Sequence, residues 1–171
     1  RRTEIQAVGT TFSVEDMIAE EDAVLTFTHK GYVKRTAAAT YRSQRRGGRG
    51  LQGAKAKEED FVEHLFVANT HDYILFFTDK GKCYWLKVHE IPPGGRAARG
   101  RAIVNLLGTE PGEKVKAFVS VKTFDEEKFI IMATHKGRIK KTKLSAYGKP
   151  RKGGIYAIDI REGDELIEAK I

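Results

Sequence analysis

The chain predicts an all-β fold, a propeller-like ring of four-stranded antiparallel blades, on three observations. A Thr-x-Lys-Gly signature between two β-rich runs occurs at Thr28, Thr78 and Thr134, with intervals of 50 and 56 residues. That period is close to the roughly 40–50 residues of a propeller blade. Helical apolar periodicity is scarce: Val14 to Glu20 is short, and Glu58 to His64 can be read as a turn.

Each copy reads as a β-hairpin. The Lys-Gly pair supplies a tight turn, with glycine taking the positive φ that the hairpin twist demands. The runs before the turns, Val24 to Phe27, Ile74 to Phe77 and Ile130 to Ala133, are almost wholly apolar. Such runs suit strands buried on both faces. After the turns the pattern alternates: Val33, Cys83 and Ile139 are apolar, each flanked by basic or polar residues. This predicts half-exposed strands with their cations facing out.

A basic, glycine-bearing loop follows each hairpin: Arg45 to Gly50, Arg96 to Arg101, and Lys149 to Gly154. An acidic turn and a further strand come next, Glu58-Glu59-Asp60 before Phe61, Pro111-Gly112-Glu113 before Val115, and Gly163-Asp164-Glu165 before Leu166. The approximate repeats are 5–60, 61–113 and 114–171.

Composition narrows the function. Of 171 residues, 40% are apolar, enough for a core, and the net charge is +8. An excess of cations implies an anionic partner, with nucleic acid the first candidate. The charge is also segregated. Nine basic residues and no acid lie between Ala23 and Lys57, and the same holds between Lys128 and Ile158. If each repeat is one blade, its cations recur at one place and form a positive stripe on the outer rim. The single Cys83 excludes an intramolecular disulfide and fits a reducing cytosol. No apolar run is long enough to span a membrane. The opening Arg1-Arg2-Thr3-Glu4 is no signal peptide and reads like the interior of a longer chain.

The densest signal is Gln44-Arg45-Arg46-Gly47-Gly48-Arg49-Gly50. Arginine brings a permanent charge and a planar fork that fits phosphate oxygens. Glycine lets the backbone approach a ligand without a Cβ in the way. Two other readings of this stretch are weaker. Gly48 to Gly53 matches G-x-G-x-x-G, but no amphipathic helix follows it as a dinucleotide site requires. Arg46-Gly47-Gly48 matches a disordered RNA-binding repeat, but it lies between strong strands rather than in low-complexity sequence. The histidines lack metal-ligand spacing. The aromatic residues Tyr73, Phe76, Phe77, Tyr84 and Trp85 occupy the most apolar strands and read as core. No nucleotide loop, paired-carboxylate constellation or triad is present.

The 44–50 stretch resembles the box motif of the C-terminal domain of bacterial DNA gyrase A. Glu58 to Phe61, Val67 to Asp72, Ala98 to Arg101 and Val104 to Leu107 are similar to the same family, in order along the whole chain. The resemblance implies a six-bladed β-pinwheel whose rim wraps duplex DNA, about three blades of it being present. The implied DNA-binding residues are the 44–50 stretch with Lys34, Arg35, Arg42, Arg96, Arg99, Arg101, Arg138, Lys140, Lys141, Arg151 and Lys152. The loops at 96–101 and 149–154 depart from the box and imply weaker contacts. An intact box favours gyrase over the related topoisomerase IV, whose box is degraded. The implied partners are duplex DNA, the rest of gyrase A, and gyrase B in an A2B2 assembly. The implied role is non-catalytic, with ATP and Mg used elsewhere in that assembly and no cofactor in this chain. Two readings from other classes stay open: a propeller scaffold for acidic proteins, and an RNA-binding domain.

Overall fold

The repeated threonine does local work that explains the signature. In each copy its carbonyl accepts the N–H of the turn glycine, Gly31, Gly81 or Gly137, at 2.9, 2.9 and 3.0 Å. Its hydroxyl accepts the N–H of the residue after that glycine, Tyr32, Lys82 or Arg138. The glycines sit at φ of 80, 77 and 82°, where a Cβ would be strained. Thr-x-Lys-Gly is thus a self-capped reversal, and the apolar runs on either side pair because of it.

The computed structural model describes residues 14–41, 60–95 and 97–171. Its strands are β1 (Asp22–Thr28), β2 (Tyr32–Ala37), β3 (Val62–Asn69), β4 (Tyr73–Thr78), β5 (Lys82–Lys87), β6 (Arg101–Ala102), β7 (Val115–Val121), β8 (Phe129–Thr134), β9 (Ile139–Lys143), β10 (Ile155–Tyr156) and β11 (Leu166–Lys170). One five-residue helix, α1 (Ile103–Leu107), and four short 3-10 turns complete the described elements. The fold is all-β and antiparallel. Glu58 to His64 is not simply a turn, because Val62 already opens β3.

The described strands form three sheets, ordered β3-β1-β2-β6, β10-β5-β4-β7 and β11-β8-β9. They do not follow the intervals 5–60, 61–113 and 114–171. Each sheet takes its hairpin from one repeat and its next long strand from beyond that repeat's basic loop. The first two also take a two-residue strand from the following repeat's loop: β6 lies against β2, and β10 against β5.

The sheets stack face to face. Alternation along β4 sends Ile74 and Phe76 toward the first sheet and Leu75 and Phe77 toward the third, all four fully buried. Burying each such side chain contributes about 1.5–3 kcal/mol. Rings of Phe27, Phe66 and Phe118 stack between the first two sheets. Strands β7 and β11 converge with His64 of β3 on one groove. This is the inner side of the stack, and β6, β10 and β9 mark the outer side.

Candidate nucleic-acid interface

The second and third basic loops owe their position to glycine. Gly100 has φ 86°, and a Cβ there would lie 2.3 Å from the Val33 carbonyl oxygen. Gly154 has φ 72°, and its Cβ would lie 2.9 Å from the Cys83 carbonyl oxygen. Each glycine presses its loop onto the outer strand of the preceding sheet, and the next two residues pair with that strand. Val33 faces Arg101 and Tyr32 faces Ala102; Cys83 faces Ile155 and Lys82 faces Tyr156. Exposed cations therefore recur at one place on consecutive sheets: Arg99 and Arg101 at the first outer edge, Arg151 and Lys152 at the second.

The third sheet adds β9, with Lys140 and Lys141 exposed and Arg138 half-buried. Lys140 Nζ donates to the Ala157 carbonyl at 2.6 Å, and Arg138 Nη1 to the Asp159 carbonyl at 2.7 Å. The Lys141 ammonium lies 4.0 Å from the Phe129 ring centroid.

Two expected rim cations turn inward. Lys34, read as facing out, is only 2% exposed. Its Nζ donates to the Gly95 carbonyl at 3.0 Å, and burial pulls its pKa below the ordinary ammonium value. A buried ammonium is out of reach of a phosphate on the surface. Arg35 is half-buried and donates to the Ile91 and His89 carbonyls. With the Thr36 hydroxyl on the Gly94 carbonyl at 2.8 Å, these side chains staple segment 89–95 to β2. Arg42, Gln44, Arg45, Arg46, Gly47, Gly48, Arg49, Gly50 and Arg96 lie outside the described residues.

The acidic turns are occupied at the hairpin reversals. The Asp60 carboxylate accepts the Lys30 N–H, and Asp164 accepts the Lys136 N–H. Burial alone would raise both carboxyls. For Asp60 the bonds from the Lys30 N–H and the Thr28 hydroxyl, with the Arg99 and Lys30 charges, outweigh that and hold it below its ordinary value. Asp164 is lowered in the same way by Lys136, Thr134 and Glu165. In the second sheet Glu113, buried, takes the Thr78 hydroxyl at 2.6 Å and the Tyr84 hydroxyl at 3.0 Å. Burial, then that bond, push the Tyr84 phenol up to about 12. Asp60, Asp164 and Glu113 are thus engaged at the reversals, and of the loop cations Arg99 lies near enough for its charge to act on Asp60.

The DNA-binding set read from the sequence left out Lys143, and Lys149 of the 149–154 loop, both exposed beside the named cations. The acid-free run from Lys128 to Ile158 was the signal that contained them. Sequence reasoning also missed two cation–aromatic couples at the clasps. The Arg99 guanidinium carbon lies 3.8 Å from the Tyr32 ring centroid, and Lys82 Nζ lies 5.3 Å from that of Tyr156. Among the described residues no cluster of metal-binding side chains occurs, and no helix is long and apolar enough to cross a membrane.

The family model described as DNA gyrase C-terminal domain, beta-propeller, matches residues 22–69, 72–122 and 128–171. Those three matches cover most of the chain, one for each sheet's hairpin and following long strand. The chain belongs to this family. The DNA gyrase A protein of Clostridium acetobutylicum is 50% identical over 171 residues, and that of Neisseria gonorrhoeae is 49% identical over 169. The chain spans 21% and 18% of those proteins, about a fifth of their length. Among solved structures, the C-terminal domain of DNA topoisomerase IV matches with TM-score 0.75 and 28% identity, over 90% of this chain and 46% of that one. A DNA gyrase A C-terminal domain matches with TM-score 0.65 and 23% identity, over 87% and 47%. The second likeness speaks to the fold alone. The gyrase C-terminal domain family is thus reached from both sequence and sheet order, as a β-pinwheel type of propeller.

Proposed function

We propose that this chain wraps duplex DNA around the outer edge of its blades. The wrapped segment is presented to the strand-passage machinery of a gyrase, which introduces negative supercoils. The observation that carries this reading is the recurrence of clasped basic loops, Arg99 and Arg101 on one sheet and Arg151 and Lys152 on the next. Cations repeated along a rim suit a backbone that repeats its phosphates. Among the described residues nothing on the rim resembles a helix aimed at base edges, so contacts position the duplex without reading it. Family membership and the gyrase A relatives support the same role. Arg45, Arg46 and Arg49 supply the strongest clamp in this reading. Lys140, Lys141, Lys143 and Lys149 extend the track, while Lys34 and Arg35 hold the blades together.

In this reading the chain catalyses nothing alone. Gyrase B, with the remainder of gyrase A, completes an A2B2 enzyme that uses ATP and Mg elsewhere. The test is titration of duplexes of about 40 base pairs across a salt series. Six or more phosphate contacts give a log–log slope steeper than about −5. A flat slope, or strong preference for one sequence, contradicts the proposal. Preference for RNA or for acidic proteins over duplex DNA would move the chain to a different class.

A further inference from the structure

Both clasps carry a cation–aromatic couple, with the partners exchanged. At the first, the ring belongs to the sheet and the cation to the loop: Tyr32 opens β2, and the Arg99 guanidinium carbon sits 3.8 Å from its ring centroid. At the second, the cation belongs to the sheet and the ring to the loop: Lys82 opens β5, and its Nζ sits 5.3 Å from the centroid of Tyr156. Tyr32 and Lys82 are equivalent positions, each directly after the turn glycine and each paired with a clasp strand. Two repeats thus reach one juxtaposition from different residues.

The couples differ in what else holds the cation. Lys82 is 9% exposed and also donates to Glu110. It is a structural cation. Arg99 is exposed, Gly100 fixes the backbone beside it, and the Asp60 carboxylate, which accepts the Lys30 N–H, lies close enough to feel its charge. A long side chain on a loop loses rotamer freedom when it binds a phosphate, and an arginine already held against a ring loses less. We infer that Tyr32 is a positioning residue for duplex binding, its ring holding the Arg99 guanidinium at the outer edge of the first sheet in the place where a backbone phosphate is taken. The inference rests on the duplex-wrapping reading.

The test is a double-mutant cycle on duplex affinity in the 171-residue chain, with a salt series for each variant. Arg99→Ala weakens binding and makes the log–log salt slope shallower by about 0.9, one phosphate. Tyr32→Leu weakens binding about two- to fivefold, the range of a cation–aromatic contact, and has no effect once Arg99 is Ala. Tyr32→Phe keeps the ring face and binds like the parent. Because Tyr32→Leu also removes packing, a phenylalanine with a progressively fluorinated ring at position 32 serves as a shape-conserving series, and affinity falls stepwise along it. Equal effects of Tyr32→Leu in both backgrounds, or a flat fluorination series, overturn the inference and leave the wrapping reading standing. Parent-like binding by Arg99→Ala does the same. Failure of the unmodified chain to bind duplex DNA removes the wrapping reading itself.

Discussion

The first two sheets and the third use the same sequence pattern and reach different packing. Leu25, Leu75 and Ile131 are equivalent positions in the strand before the turn, and Val33, Cys83 and Ile139 in the strand after it. The first two members of each set are 0% exposed, while Ile131 is 49% and Ile139 74% exposed. The hairpin is the same in all three. What differs is the neighbour: the next sheet covers one face, and a two-residue clasp strand covers the outer edge. Among the described residues neither covers the third sheet. An apolar residue two places after the turn glycine therefore marks a site that expects a neighbour, and its burial is a property of the junction between blades.

The largest effect should separate two glycines with the same backbone conformation. A Cβ on Gly81 would lie 2.2 Å from the Ile158 carbonyl oxygen, whereas one on Gly137 meets nothing within 4 Å. Gly81→Ala must displace backbone at a junction and should cost about 3 kcal/mol or more. Gly137→Ala bears only the left-handed strain, about 1–2 kcal/mol. Denaturant melts of both variants decide this, and equal losses would break the comparison. The core pair comes next. Leu75→Ala should cost about 2–5 kcal/mol and Ile131→Ala about 1 kcal/mol or less. A large loss at Ile131 would mean that the third sheet is covered in solution.

A smaller effect is expected from pH, and here the sheets should behave alike. Asp60 and Asp164 titrate below 3.8, their ordinary value. A folded carboxyl held below its unfolded value stabilises the fold above 3.8 and loses that contribution as pH falls through the lower folded value. Asp60→Asn and Asp164→Asn should each flatten the acid limb of a melting-temperature profile. An unchanged acid limb in both would show that the turn carboxylates are not what holds the reversals.

How much of this was legible follows from the range of each interaction. The hairpins were, because the threonine, the glycine and the capped N–H lie within five residues. The two-sided burial of β4 was, because four consecutive apolar residues leave no exposed face. The clasp strands were not, since two residues carry no periodicity and their partner belongs to the preceding repeat. Lys34 misled for a related reason. Alternation around Val33 places a cation outward, but the carbonyl that takes its ammonium comes from Gly95, in another repeat. At the rim, charge segregation found the basic loops, and only the folded structure separated exposed Arg101, Arg151 and Lys152 from inward Lys34 and Arg35.

The functional counterpart of that separation is a ranking of cations. Replacing Arg45, Arg46 and Arg49 together by Ala should sharply reduce negative supercoiling by the assembled enzyme, while relaxation persists and the melt of the chain is unchanged. Neutralising Arg99 and Arg101 should reduce it less, because that loop lacks the full box. Supercoiling that survives the triple substitution would remove the box from the proposed clamp.

The central claim is that the duplex is wrapped, which is more than being bound. Sealing nicked circular DNA with ligase in the presence of the chain, then removing protein, tests this directly. Wrapping traps a change in linking number, so the topoisomer distribution should shift steadily as the ratio of protein to DNA rises, and the shift should shrink with salt. A distribution that stays centred on that of naked DNA, at concentrations where the duplex is bound, would contradict the account.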